Sequence, residues 1–265
     1  MTRVLVVLNS STSSMGRLEQ WLPEAGLDPV LVPGAELPGT LDGFGGVVLL
    51  GGGFMPDDDA GHPFLARERA LTLQALADGV PLLGLCLGGQ LLAHVTGGGV
   101  TARSGETERG MCALTVLPAA ADDPVFGYLP GVTGVGGVSG GGVPGVGGAP
   151  GGGAPGGGGV PGGPLWMIEN HEDSVTALPP SATLLVTSEA CRNQAFRVGE
   201  TAWGLQFHPE ARPERVATWD EAALSEQGID RAALAEAALA HAAENAAQSG
   251  ALVRAWADVV HGAAK

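Results

Sequence analysis

A doubly wound α/β fold, with a mostly parallel sheet and helices on both faces, is predicted by three features of this 265-residue sequence. Short, continuous apolar runs recur, each stopped by Gly, Pro or Ser. Helical patterns alternate with them, and one run ends in a cysteine set between two glycines where a helical pattern begins.

The elements follow in order. "RVLVVLN", "PVLVP" and "FGGVVLLGGG" read as buried strands of a parallel sheet, too uniformly apolar to leave a face in water. Between them "MGRLEQWLPEAG" reads as a short helix. "HPFLARERALTLQALADG" reads as a clear one, with Leu65, Leu71, Leu73 and Leu76 on a broad stripe, Pro63 near its start and Gly79 past its end. "PLLGLCL" is then the next strand, ending at the carboxyl edge where such sheets place their ligands.

From 131 to 164 more than half the residues are glycine and none is charged. Such a segment cannot bury enough side chain to offset backbone ordering, so a disordered insertion is expected; the glycines keep no three-residue period, which excludes collagen. Beyond it "LWMIENHEDSV", "ATLLVTS", "CRNQAFRVG" and "TAWGLQFHPE" read as late strands of the same domain. The domain is expected to span 1–212, interrupted by 131–164. An alanine-rich helical extension over 213–265 packs on it, with Thr218 and Glu221 as a capping box, Asp230 as an N-cap, and Leu252, Trp256, Val259 and Val260 at helical spacing.

The net charge of −15 argues against a nucleic-acid groove or an anionic membrane surface and points to small-molecule chemistry or protein partners. The opening "TRVLVVLNS" is too short to span a bilayer and lacks the marks of a signal peptide, so a cytoplasmic location is expected. Cys86, Cys112 and Cys191 are odd in number and widely spaced, which supports neither a disulfide framework nor a zinc site.

The chemistry concentrates in two segments. In "GLCLG", Gly84 and Gly88 flank Cys86 in the pattern of a nucleophile elbow, where the backbone is approached so closely that only glycine fits. The free N–H groups and dipole of the following helix stabilise a thiolate, and the same N–H groups, beginning with Leu87, can stabilise an oxyanion. In "GLQFHPE", His208 and Glu210 are two apart, so in an extended chain they leave the same face; a carboxylate beside the imidazole would orient it toward Cys86.

The two segments together, "GLCLGGQLLA" and "WGLQFHPE", resemble the class I, triad-type glutamine amidotransferases, with support from "LLGGGFMPDDD" and "ENHEDSV". The resemblance runs from Val4 to about Glu210. It implies a flavodoxin-like fold, Cys86 as nucleophile, His208 as general base and then acid, and Glu210 as its orienter. It further implies an oxyanion hole from the backbone of Leu87 and of Gly53 or Gly52, and substrate contacts from Gln90 and His171. The activity so implied is hydrolysis of the glutamine side-chain amide through a cysteine thioester, releasing ammonia for a synthase partner, with no cofactor and no metal. Two alternatives stand beside it: hydrolysis of another γ-glutamyl compound by the same triad, and a non-catalytic regulatory protein on this fold.

Other residues have plainer readings. Asp57, Asp58 and Asp59 are consecutive, point in different directions and suit a solvated loop. A locally satisfied strand-end pair is as good an account of His171 and Asp173 as substrate binding. His62, His94, His241 and His261 read as surface or packing residues, and Cys112 and Cys191 as small apolar ones.

Overall fold

The computed structural model describes residues 1–11, 13–132 and 163–263. The expected insertion therefore lies, apart from its first and last two residues, outside the described residues. Its ends meet: the N–H of Gly163 donates to the Gly131 carbonyl at 2.7 Å.

Five elements open the chain as expected: β1 (Thr2–Leu8), α1 (Leu18–Glu24), β2 (Leu27–Pro33), β3 (Gly46–Leu49) and α2 (Leu65–Asp78). They lead to β4 (Leu82–Leu85) and α3 (Leu87–Val95). Then come β5 (Gly99–Thr101), β6 (Glu108–Val116), β7 (Leu165–His171), β8 (Ser174–Ala177), β9 (Ala182–Thr187), β10 (Ala195–Val198) and β11 (Ala202–Leu205). Nine strands form one sheet in the order β2-β1-β3-β4-β11-β10-β9-β6-β7, and β5 pairs with β8 in a small second sheet.

The sheet is parallel from β2 through β11 and antiparallel from there to β7. The proline-bearing strand β2 lies at its edge, where a missing N–H costs no ladder bond. Strands β5 and β6 were not legible in the sequence. No residue of the short β5 is fully buried, burial in β6 alternates only toward its end, and β6 carries Glu108 and Arg109 into the sheet, so the apolar-run signal is missing.

Both faces of the sheet are covered. Val4, Val6, Leu83, Leu85 and Trp203 pack with Leu18 and Leu22 of α1, while Leu5, Val7, Val47 and Leu49 pack with Leu71 and Ala75 of α2. This alternation of Val4/Val6 against Leu5/Val7 is the period of two expected of a strand buried on both sides.

The chain ends with α4 (Glu221–Glu226), α5 (Arg231–Ala240) and α6 (Ala242–Ala263). Leu252, Val253, Trp256, Ala257 and Val260 of α6 belong to the same buried cluster as α1 and the sheet. Asp230 caps α5, accepting from the N–H groups of Ala232 and Ala233. The capping box is corrected: Asp220 caps α4, accepting from Ala222 and Ala223, while the Thr218 hydroxyl donates to the Arg215 carbonyl. Thr218 ends a 3₁₀ segment, Pro213–Thr218, which puts its side chain too early in the chain to cap. Among the described residues no helix is long and apolar enough to cross a membrane.

Candidate active site

The carboxyl ends of β1, β3, β4 and β11 converge on one rim, and the residues singled out by the sequence meet there. Cys86 follows β4 directly, with φ 50° and ψ −106°, a positive-φ conformation rare for a residue with a Cβ. Its N–H donates to the Leu205 carbonyl at 2.7 Å, and its carbonyl opens α3 by accepting from Gln90.

The flanking glycines have a steric cause. A Cβ on Gly84 would lie 2.4 Å from the Gly88 carbonyl oxygen, and one on Gly88 would lie 2.3 Å from that of Leu49. Strand β4 and helix α3 are thus folded back so tightly that their backbones touch. Cys86 at the bend is forced outward, into a cavity of about 270 Å³.

His208 comes from the turn after β11, not from the strand itself, and is held there by its N–H bond to the Ile168 carbonyl at 2.9 Å. Its Nδ1 lies 2.7 Å from Oε1 of Glu210. The Glu210 backbone is fixed in turn, its carbonyl accepting from Arg17 N at 2.9 Å. Burial works against the charged imidazole, but the Glu210 carboxylate and hydrogen bonds with Cys86 and Glu210 outweigh it and hold the His208 pKa well above the ordinary histidine value. Gly51 sits between the two reactive side chains: a Cβ there would lie 3.1 Å from His208 Cε1 and 3.6 Å from Cys86 Cβ.

Gly52 and Gly53 line the same cavity, facing the start of α3. Leu87 is the first residue of that helix, so its N–H has no intrahelical acceptor. A second cavity of about 290 Å³ shares Cys86, Gly52, Gly53 and Asn170 with the first and extends to Gln90, Arg103, Arg109 and the segment 171–173. Gln90 is nearly buried there and donates to the Asp173 carbonyl at 3.1 Å and to Gln206 Oε1 at 3.3 Å.

The His171 side chain is 1% exposed and faces carboxylates of β6 and β7: its Nε2 is 3.6 Å from Glu108 Oε2 and 3.5 Å from Glu169 Oε2. Arg109 reaches the His171 carbonyl at 2.6 Å and Glu172 at 2.7 Å. Burial, with Glu108 close by, pushes the Glu169 carboxyl well above the usual carboxylate range. Cys191 is fully buried, as a small apolar residue would be, and its thiol lies 3.7 Å from Glu106 Oε2.

Several residues escaped the sequence reading. Gln206 donates to Cys86 Sγ at 3.6 Å. Its place two residues before His208, in the same apolar run, was a usable signal. Ser13, Ser14, Arg215 and Trp219 line the first cavity from distant segments and left no local signal. The remaining acidic residues behave as expected: Asp59 pairs with Arg69 at 2.7 Å on the surface, and Asp58 accepts from Gly61 N. His62 stacks on Phe54 and His241 on Trp166.

Comparison with known proteins agrees with this geometry. The family model described as Glutamine amidotransferase class-I matches residues 7–117. A chain from Halobacterium salinarum, named as one subunit of a glutamine-hydrolysing GMP synthase, is 32% identical over 215 residues, covering 79% of this chain and 90% of the relative. A glutamine-hydrolysing GMP synthase from Porphyromonas gingivalis is 27% identical over 211 residues; there the chain spans only 33% of the relative's length. The crystal structure of a glutamine amidotransferase from Thermotoga maritima superposes with a TM-score of 0.74 at 25% identity, covering 98% of this chain and 97% of that one. Both the relatives and the fold thus lead to the same assignment: the chain belongs to the class I glutamine amidotransferase family.

Proposed function

We propose that this chain hydrolyses the side-chain amide of glutamine, with Cys86 as nucleophile, His208 as general base and acid, and Glu210 as the group that orients His208. The observation that carries this reading is that Cys86, at the strained bend after β4, and His208, hydrogen-bonded to Glu210, line one cavity.

The sulfur attacks the amide carbon while His208 takes the thiol proton. The negative charge gathers on the carbonyl oxygen, within reach of the Leu87 N–H and of the Gly53 or Gly52 N–H. Removing one such donor typically costs about 10²–10³ in rate. Collapse passes the proton from His208 to the leaving nitrogen, ammonia departs, and a γ-glutamyl thioester remains. Water then attacks the thioester with His208 again as base, giving glutamate and the free thiol.

Gln90 and the main chain around His171 border the cavity that would take the amino-acid end of the substrate. The Halobacterium relative, being named as one subunit of its synthase, supports a synthase partner on another chain as recipient of the ammonia. A second reading, hydrolysis of a γ-glutamyl compound with a larger leaving group, is favoured by the room beside Cys86: the first cavity extends past His208 to Arg215 and Trp219, beyond what ammonia needs.

Ammonia release from glutamine, wild type beside Cys86→Ala, tests the proposal. Release is expected from the wild type alone, and equal release from both would refute it. Faster turnover of γ-glutamyl amines than of glutamine by the wild type would select the second reading.

A further inference from the structure

Behind the second cavity lies a polar cluster that the proposed hydrolysis does not use. Strands β6 and β7 pair with Glu108 opposite His171 and Gly110 opposite Glu169. The segment between β9 and β10 lays Cys191 and Gln194 against them. Cys191, Glu169 and Gln194 are fully buried, His171 is nearly so, and the Glu108 side chain is 10% exposed. One donor atom each from Glu108, His171 and Cys191 lies within 4.8 Å of the others, and His171 Nε2 is 3.5 Å from Glu169 Oε2.

The cluster is poorly satisfied as it stands. Neither ring nitrogen of His171 and neither carboxylate oxygen of Glu169 makes a well-formed hydrogen bond, and Gln194 Oε1 is also unpaired. Leaving a buried polar group without a partner is costly, and several at one point call for a common partner. Acidic side chains also outnumber basic ones. Glu106, Glu108 and Glu169 converge here, while Arg109 on the same strand is turned to Glu172 and the His171 carbonyl. Ser188 and Gln194 both donate to Glu108 Oε2.

We infer that Glu108, His171 and Cys191, with Glu169 beside His171, form a binding site for a divalent cation of the zinc class. The mixed imidazole, carboxylate and thiol donors suit Zn²⁺ over the oxygen-seeking Mg²⁺ or Ca²⁺. The geometry agrees. Bonds of about 2.0–2.2 Å in a tetrahedron put neighbouring donors roughly 3.3–3.6 Å apart, and the His171–Glu108 separation is 3.6 Å. Cys191, whose sulfur lies within 4.8 Å of the other donors, must close in to give the usual Zn–S bond of about 2.3 Å, and its thiol proton is released to solvent as the thiolate binds. The ion would be structural, pinning the end of β7 and with it Asn170, which borders both cavities.

The sequence hid such a site because its three ligands come from three segments with no ligand spacing. The inference does not depend on the glutaminase reading and is tested without an activity assay. Wild-type protein, desalted after purification with zinc, is expected to retain about one zinc per chain by elemental analysis, and Glu169→Gln or Cys191→Ser to weaken retention at least about tenfold in competition with a chromophoric chelator. Cobalt loaded in place of zinc is expected to give a thiolate charge-transfer band that survives Cys86→Ala and Cys112→Ser and is lost in Cys191→Ser. Folded wild-type protein that retains no zinc and shows no such cobalt band would overturn the inference without reference to any variant. So would a band lost with Cys86 or Cys112 and kept in Cys191→Ser.

Discussion

The side-chain amide of Gln206 donates to the sulfur of Cys86 across 3.6 Å, and its oxygen accepts from Gln90, which is itself tied to the Asp173 carbonyl. A polar chain therefore runs from the second cavity to Cys86. A hydrogen bond to a charged group is worth about 1.5–3 kcal/mol, so Gln206→Met, which keeps the volume and removes the donor, is expected to slow alkylation of Cys86 by iodoacetamide at neutral pH about tenfold. An unchanged alkylation rate would show that the contact does not reach the reactive thiolate.

Glu210 stands behind His208 in the same way. Replacing the carboxylate by the amide in Glu210→Gln removes the negative charge that favours the imidazolium, so the His208 titration midpoint is expected to fall. A histidine ring-proton NMR titration of the two proteins reads this directly. Ammonia release should drop by about 10² or more, as expected when a base loses its orienting partner.

The bend after β4 leaves no room for change. Gly88→Ala would drive a Cβ to 2.3 Å from the Leu49 carbonyl oxygen, a backbone atom that cannot swing aside. A loss of about 3 kcal/mol or more is expected in urea denaturation, or no soluble protein at all. Gly53→Ala meets nothing within 4 Å and should unfold at nearly the wild-type denaturant concentration.

Glu68 of α2 is fully buried, accepts from Asn9 Nδ2 at 2.9 Å, and has its pKa raised by burial to about 7. The unfolded chain ionises this carboxyl near the ordinary value of 4.5, while the fold keeps it protonated up to about 7. Its contribution to stability is therefore full in acid, declines as pH rises between those values, and is gone above the upper one. The span corresponds to about 3 kcal/mol. Glu68→Gln should be more stable than wild type at pH 8 and lose that advantage toward pH 4.5. Chemical denaturation across this range checks the sign; an advantage independent of pH would contradict it.

Much of this protein was determined by local sequence. The apolar runs at β1, β3 and β4 specified buried parallel strands, because two-sided burial permits little else, and the glycines around Cys86 specified the bend, because backbone-to-backbone contact excludes any Cβ. The proposed class of chemistry rests on Cys86, His208 and Glu210 as residue types. What the tertiary structure alone decided is which distant groups share a point in space. It brought Gln206 to the sulfur, turned the His171 side chain toward Glu108 and Glu169, closed Ser13 and Trp219 around one cavity, and gave α4 its cap from Asp220 instead of Thr218. Such meetings depend on strand order and on how loops are held by neighbours across the sheet, and no periodicity of two or of 3.6 residues records them.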